Sequence, residues 1–356
     1  MEVTTSSPVL PWKTRIAISV ASFITDFTRR PNGTVNRRLL NALNVKSPTY
    51  PDPFNGFKSY DVTVDRTRNL WVRIYLPVTQ DSEPAHLPVI FFFHGGGFVY
   101  MSADSRNYDA VCRRFCTKIP AVMVSVNYRL APEYRYPAQI NDGFDALKYL
   151  DENNKKDKLL PDYADMSCCF LVGDSAGGNI AHHVAVKAAG FSFQQLKASD
   201  ASITFFLWLV IGLVAIQPFF GGEERTESER RLVKAPIVNI SRTDWMWKAL
   251  LPDSDRDHEA INVSGPKAVN ISSLLEFPAT LVVIGGFDIL QDWQRRYYEW
   301  LRSHNKQATI LEYPTMVHAF YVFPELREAG YLIGEIRQFV HNQMSALSKG
   351  VPFVSM

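Results

Sequence analysis

Residues 168–178 read CCFLVGDSAGG. An apolar, strand-like run enters a turn flanked by glycines, and a helix-compatible stretch comes after it. The segment GDSAG fits G-x-S-x-G between a strand and a helix, the tight turn that holds a serine up at the end of its strand. Gly173 and Gly177 take away side chains that would clash in such a turn. Ser175 is thus a candidate nucleophile. The amide of Ala176, at the start of the helix, points to where negative charge would develop. Alone, the pattern arises by chance in many proteins, so the flanking chain has to decide.

Outward from this stretch, short β-rich apolar runs recur at 70–76, 89–93, 121–126, 210–216, 279–284 and 308–313. Helical segments at 105–118, 138–151, 178–189 and 291–303 separate most of them. Strands apolar on both faces that alternate with helices predict an α/β fold with a mainly parallel central sheet, covered by helices on both faces. Leu332, Ile336, Phe339, Val340, Met344 and Leu347 recur at three- and four-residue spacing, predicting a C-terminal helix on that sheet.

Ligands of such sheets bind beyond the carboxyl ends of the strands. After 89–93 comes HGGGF (94–98), after 168–172 comes GDSAGG, after 279–284 comes GGFD and after 308–313 comes PTMVH. A serine, an acid, a histidine and a glycine-rich turn therefore share one edge. Gly96 and Gly97 are assigned as amide donors to an oxyanion, with Gly95 shaping the turn. His94 is read as tying the loop down. There is no G-x-x-x-x-G-K-[ST] or dinucleotide fingerprint to make this a phosphate loop. The expected chain order is Ser, then acid, then His. Of the histidines after Asp288, His304 lies before its strand and His341 within the terminal helix, which leaves His318. Asp288 directly succeeds its strand, and Asp292, four residues on, is the alternative acid. His182 and His183 are adjacent in a helix, so at least one must point away from the site.

Composition narrows the classes further. At 356 residues the chain can bury a large core, and one domain over 1–356 is expected. Lys plus Arg is 38 and Asp plus Glu is 36, a net charge of +2 with no basic cluster, which argues against nucleic-acid binding. Four cysteines show no zinc or disulfide spacing and read as buried thiols of a cytoplasmic protein. Ile16, Val20, Phe23, Ile24 and Phe27 lie at helical spacing and predict an amphipathic helix packed on the body, not a signal peptide. The longest apolar stretch, 203–216, is 14 residues, below the roughly 18 of a membrane span. The charged excursion at 218–270 sits where a cap over a site would be inserted.

HGGGF at 94–98, NYRLAPE at 127–133, GDSAGGN at 173–179, the D-x-L-x-D of Asp288 to Asp292 and HAF at 318–320 resemble the plant carboxylesterases of the hormone-sensitive-lipase branch of the α/β-hydrolase fold. The likeness runs from about Leu10 to Val340. Ile289 departs from it, where that family often has proline, and leaves Asp288 in place. The chain also resembles the gibberellin receptors, which share the fold without catalysis, in TRRPNGTVNR (28–37), FGGEERTESE (220–229) and DWMWKALLP (244–252). In the receptors the histidine position is aliphatic and the HGGG turn typically ends in serine. His318 and Gly97 are of the esterase kind here.

These resemblances imply a serine carboxylester hydrolase acting on small to medium esters, with Ser175, Asp288 and His318 catalytic and with no metal or cofactor. A receptor-like binding protein is the alternative. They also imply a lid from residues 1–45, with Ile24 and Phe27 facing substrate. Arg225 is either at the pocket rim or in an ion pair with Glu223, Glu224 or Glu229. No protein partner is specified. A lipase at membranes is a third reading, set back because 203–216 is the sole large apolar surface stretch. Residues 198–209 form an unusual apolar insertion, expected to loop out on the edge opposite Ser175 or extend a helix there.

Overall fold

The structure, a computed structural model, describes residues 8–78, 86–191, 193 and 210–349. Among these residues one sheet contains β1 (Phe57–Asp65), β2 (Leu70–Pro77), β3 (Leu87–Phe93), β4 (Val122–Asn127), β5 (Ala164–Asp174), β6 (Val210–Ile216), β7 (Ala279–Phe287) and β8 (Ala308–Val317). Their order is β1-β2-β4-β3-β5-β6-β7-β8. β2 runs antiparallel to both its neighbours, and every other pair is parallel. The mainly parallel α/β architecture read from the sequence is the one observed.

Burial explains the pattern. Every residue of β3 and β6 is buried, as strands covered on both faces must be. Val89, Phe91 and Phe93 of β3 join a core with α4 (Ala138–Asp157), α5 (Ala176–Ala189) and α8 (Gln291–Ser303). Ile90 and Phe92 point the other way, into a core with α3 (Arg106–Lys118) and α9 (Arg327–Ser348). The remaining helices lie at the carboxyl edge or beyond it. α1 (Trp12–Thr28) and α2 (Arg37–Leu43) precede the sheet, and α6 (Glu227–Arg231) and α7 (Ile240–Leu250) fall between β6 and β7.

Two differences from the sequence reading have physical causes. β1 is absent from that reading, because its residues alternate between buried and more exposed, as on an edge strand with one face toward water. β8 runs on through Pro314 to Val317, where the sequence places PTMV after the strand. It is the last strand of the sheet, and proline is tolerated on an edge. The insertion at 198–209 lies outside the described residues, while β6 begins at Val210 as its register requires.

One contact joins the sheet to the site. A Cβ on Gly177 would stand 1.9 Å from the Phe93 carbonyl oxygen and 2.7 Å from that of His94. Gly177→Ala should therefore destabilise the fold by about 2 kcal/mol or more, although alanine is the better helix former. Gly190→Ala, whose Cβ would meet only the Lys187 oxygen at 3.9 Å, is the control and should melt like the wild type. Equal melting temperatures for the two variants would show that the turn yields.

Candidate active site

β5 ends at Asp174 and α5 begins at Ala176, so Ser175 forms the whole connection. Its φ of 53° and ψ of −120° are strained for a residue with a side chain, at a cost of about 1–3 kcal/mol. The surroundings hold it there. The Ser175 amide donates to the Ile216 carbonyl at 2.9 Å, and its carbonyl accepts from the Phe219 amide at 2.8 Å. The hydroxyl side lines a cavity of about 470 Å³.

His318 lines the same cavity from the end of β8. Its Nδ1 lies 2.7 Å from Asp288 Oδ2. With the carboxylate accepting, Nδ1 carries the proton and Nε2 keeps its lone pair. Burial alone would lower the His318 pKa, but the charge and hydrogen bond of Asp288, with Asp174 nearby, outweigh it and leave it raised above 6.5. No hydrogen bond joins the Ser175 hydroxyl to His318 in this arrangement, a contact that often tightens only with substrate.

Asp288 is buried and itself oriented on several sides. The Leu290 amide donates to Oδ1 at 3.0 Å, and Gln217 and Gln294 donate to Oδ2 at 3.2 and 3.0 Å. Gln217 also accepts from the Ala319 amide at 2.8 Å, so one side chain links the acid to the backbone beside His318. The alternative acid, Asp292, accepts from the Ser228 amide of α6 at 2.7 Å and is occupied there.

Gly96 and Gly97, with φ of +106° and +60°, line the cavity next to Ser175. The Gly96 carbonyl accepts from the Val99 and Tyr100 amides, which folds the turn. Among the described residues no acceptor takes the amide hydrogens of Gly96, Gly97 or Ala176. A Cβ on Gly97 would come within 2.2 Å of Met246 Sδ on α7. His94 is fully buried behind the loop, with Nδ1 donating to the Gly95 carbonyl at 2.8 Å, and burial holds its pKa down at about 4.

The N-terminal helix and the chain between β6 and β7 complete the cavity wall. Ile18, Val20, Ala21 and Ile24 of α1 line the cavity together with Phe219, Val238 and Met246. Arg242 of α7 grips Asp26 of α1 at 3.0 and 2.6 Å, and Trp245 donates to the Arg30 carbonyl at 2.6 Å. Phe27 does not face the cavity. It is 64% exposed on the outer side of α1, in register with Ile16 and Phe23, which also do not line the cavity, and not with Ile24. Arg225 is also away from the cavity, paired with Glu229 at 3.0 Å and Asp244 at 2.6 Å. Of its two readings the ion pair is the one observed.

The other groups singled out lie elsewhere. His182 meets Tyr297 at 2.9 Å, and neither it nor His183 lines the cavity. His304 caps α8 through the Trp300 carbonyl, and the four cysteines are free and buried. Among the described residues no cluster of His, Cys, Asp or Glu could hold a metal ion.

Asp174 is the variable residue of G-x-S-x-G, and the motif assigns it no role. It is buried at the cavity wall, where Oδ2 accepts from Tyr108 at 2.9 Å and Oδ1 has no partner. Burial pushes its pKa up to about 6, against the opposing influence of the Tyr108 bond and His318. Gln217 is a second residue that the motifs do not reveal, although it comes directly after β6 on the same edge and the strand-end rule reaches it.

With this geometry in place, the likeness to known proteins is informative. Residues 90–322 match the α/β hydrolase fold family. The chain is 38% identical to gibberellin receptor GID1C of Arabidopsis thaliana over 94% of this chain and 96% of that protein. It is 34% identical to Carboxylesterase 20 of the same plant over 74% of this chain and 79% of that protein. The ester hydrolase EH1AB1 from the metagenome of Lake Arreo, 23% identical, superposes with a TM-score of 0.71 over 95% of this chain and 100% of that one, a likeness of fold.

The buried Asp174 has a consequence for stability. Between pH 3.8 and about 6 the folded state retains a proton that the unfolded chain has released. Stability contributed by that proton is present at low pH and is lost as pH rises through this window. Asp174→Asn should flatten this part of the melting-temperature profile, and an unchanged slope would assign it to other groups.

Proposed function

The chain belongs to the α/β hydrolase fold family, and on that premise we propose that it is a serine carboxylester hydrolase working through an acyl-enzyme. Ser175 Oγ attacks the ester carbonyl as His318 Nε2 takes its proton. Asp288 holds the imidazole in the required tautomer and stabilises the imidazolium that forms. The amides of Gly96, Gly97 and Ala176 donate to the oxyanion. The imidazolium then protonates the departing alcohol. A water, deprotonated by His318, attacks the acyl-enzyme and releases the acid. The N-terminal segment and the cap act as the lid over an apolar substrate.

The observation that carries this reading is the 2.7 Å bond from His318 Nδ1 to Asp288, behind a cavity wall shared with Ser175. A protein that only holds a ligand has no need of a base oriented in that way. One observation favours the second reading, a small-molecule binding protein. The gibberellin receptor matches 94% of the chain, whereas Carboxylesterase 20 matches 74%.

Turnover separates the two. On a series of chromogenic esters, Ser175→Ala and His318→Ala should each lower kcat by roughly a millionfold, and the double variant should lose little more, because such residues act as a unit. Substantial hydrolysis by His318→Ala would remove the assignment. A wild-type chain that binds such esters without releasing product would establish the second reading.

The pH profile tests the acid. A protonated imidazole cannot accept the serine proton, so kcat/KM should fall as pH drops through the raised His318 pKa, with the limb above 6.5. Asp288→Asn should lose about 10⁴-fold in activity and move the limb downward. A limb that stays in place would mean that Asp288 does not govern the histidine.

A further inference from the structure

The outer face of α1 carries Trp12, Ile16, Phe23 and Phe27, each between 55% and 67% exposed, and Val20, 52% exposed, stands between them at the border with the cavity, which it also lines. The spacing, i, i+4, i+8, i+11 and i+15, makes them one continuous stripe along the helix. Val9, 85% exposed, extends it past the amino end, and the Phe23 and Phe27 rings stack at 5.5 Å. Large apolar side chains gathered in water on this scale mark a surface that something covers.

Charge indicates what covers it. Lys13 and Arg15, at the start of α1, are exposed and have no ion-pair partner among the described residues. The one acid of α1, Asp26, is held by Arg242 and Arg29. Glu325 approaches only the amino end, where it accepts from Thr14 at 2.5 Å. Aromatic and aliphatic groups along a helix, with cations beside them, are what a helix lying in a lipid interface presents.

The other face of the same helix supplies Ile18, Ala21 and Ile24 to the cavity wall. We infer that α1 seats the protein on an anionic lipid surface and that esters dissolved in that surface are its substrates. The second half of this inference rests on the esterase reading. It also revises the sequence reading, in which a membrane-surface enzyme is set back for want of apolar surface outside 203–216. No span is involved, since among the described residues no helix is long and apolar enough to cross a membrane.

The test is flotation of the full chain with vesicles of phosphatidylcholine, alone or mixed with phosphatidylserine, run beside turnover of a short water-soluble ester. The wild type should float with both, more with phosphatidylserine, and less as salt is raised. Ile16→Ser combined with Phe23→Ser should cut partitioning at least about tenfold. Neither side chain lines the cavity, so soluble turnover should stay within about twofold. Lys13→Glu combined with Arg15→Glu should abolish the preference for phosphatidylserine. No flotation, or flotation unaffected by the Ile16 and Phe23 substitutions, would overturn the inference. So would a wild type that dimerises by light scattering through the stripe and ignores vesicles. Flotation without soluble turnover would leave the surface standing and remove the esterase reading. Soluble turnover without flotation would do the reverse.

Discussion

The contact on which the site depends is backbone against backbone. The first turn of α5 lies against the end of β3 so closely that the Phe93 carbonyl leaves no room for a side chain at position 177. That approach draws the β5–α5 connection toward the loop that continues β3. Ser175 and the amides of Gly96 and Gly97 come together because two neighbouring parallel strands end side by side there. The strain at Ser175 persists because hydrogen bonds to Ile216 and Phe219, on the next strand and just after it, fix the residue from both its amide and its carbonyl.

Electrostatics around His318 arise from the same crowding. Removing the imidazole from water disfavours its charged form, and two carboxylates reverse the balance, Asp288 by direct contact and Asp174 at longer range. They are not equivalent. Asp288 accepts from a backbone amide and two glutamine side chains as well as from the histidine, whereas Asp174 has one tyrosine and an oxygen left without a partner. Gln217 fastens the acid and the histidine segment to one side chain, so the distance between them is set by a buried amide and not by two loops moving independently.

Much of this is legible in the sequence. Strand-like runs apolar on both faces indicate the parallel sheet, and the residues just past each strand end include Ser175, Asp288, His318 and the glycine turn. Legibility ends where the signals are ambiguous. β1 alternates like any half-exposed strand and has no buried run to reveal it. Helical spacing locates α1, but the helix is apolar on two sides, so periodicity does not say that Ile24 turns inward while Phe27 turns out. Arg225 can be placed only by knowing that Asp244, nineteen positions away in the chain, folds back beside it. Asp174 and Gln217 sit on the expected edge, yet the one binds Tyr108 and the other binds Asp288 and the Ala319 amide, so no motif for a nucleophile, base or acid marks them.

Gly97 and Met246 meet across the mouth of the site, one on the loop after β3 and the other on α7. A side chain of any size at 97 requires that Met246 shift or lose bulk, so the two positions are sterically coupled even though they lie 149 positions apart in the sequence. Drift at either position is therefore constrained by the other. A chimera that takes the loop or α7 from a relative without the other has to repack this contact.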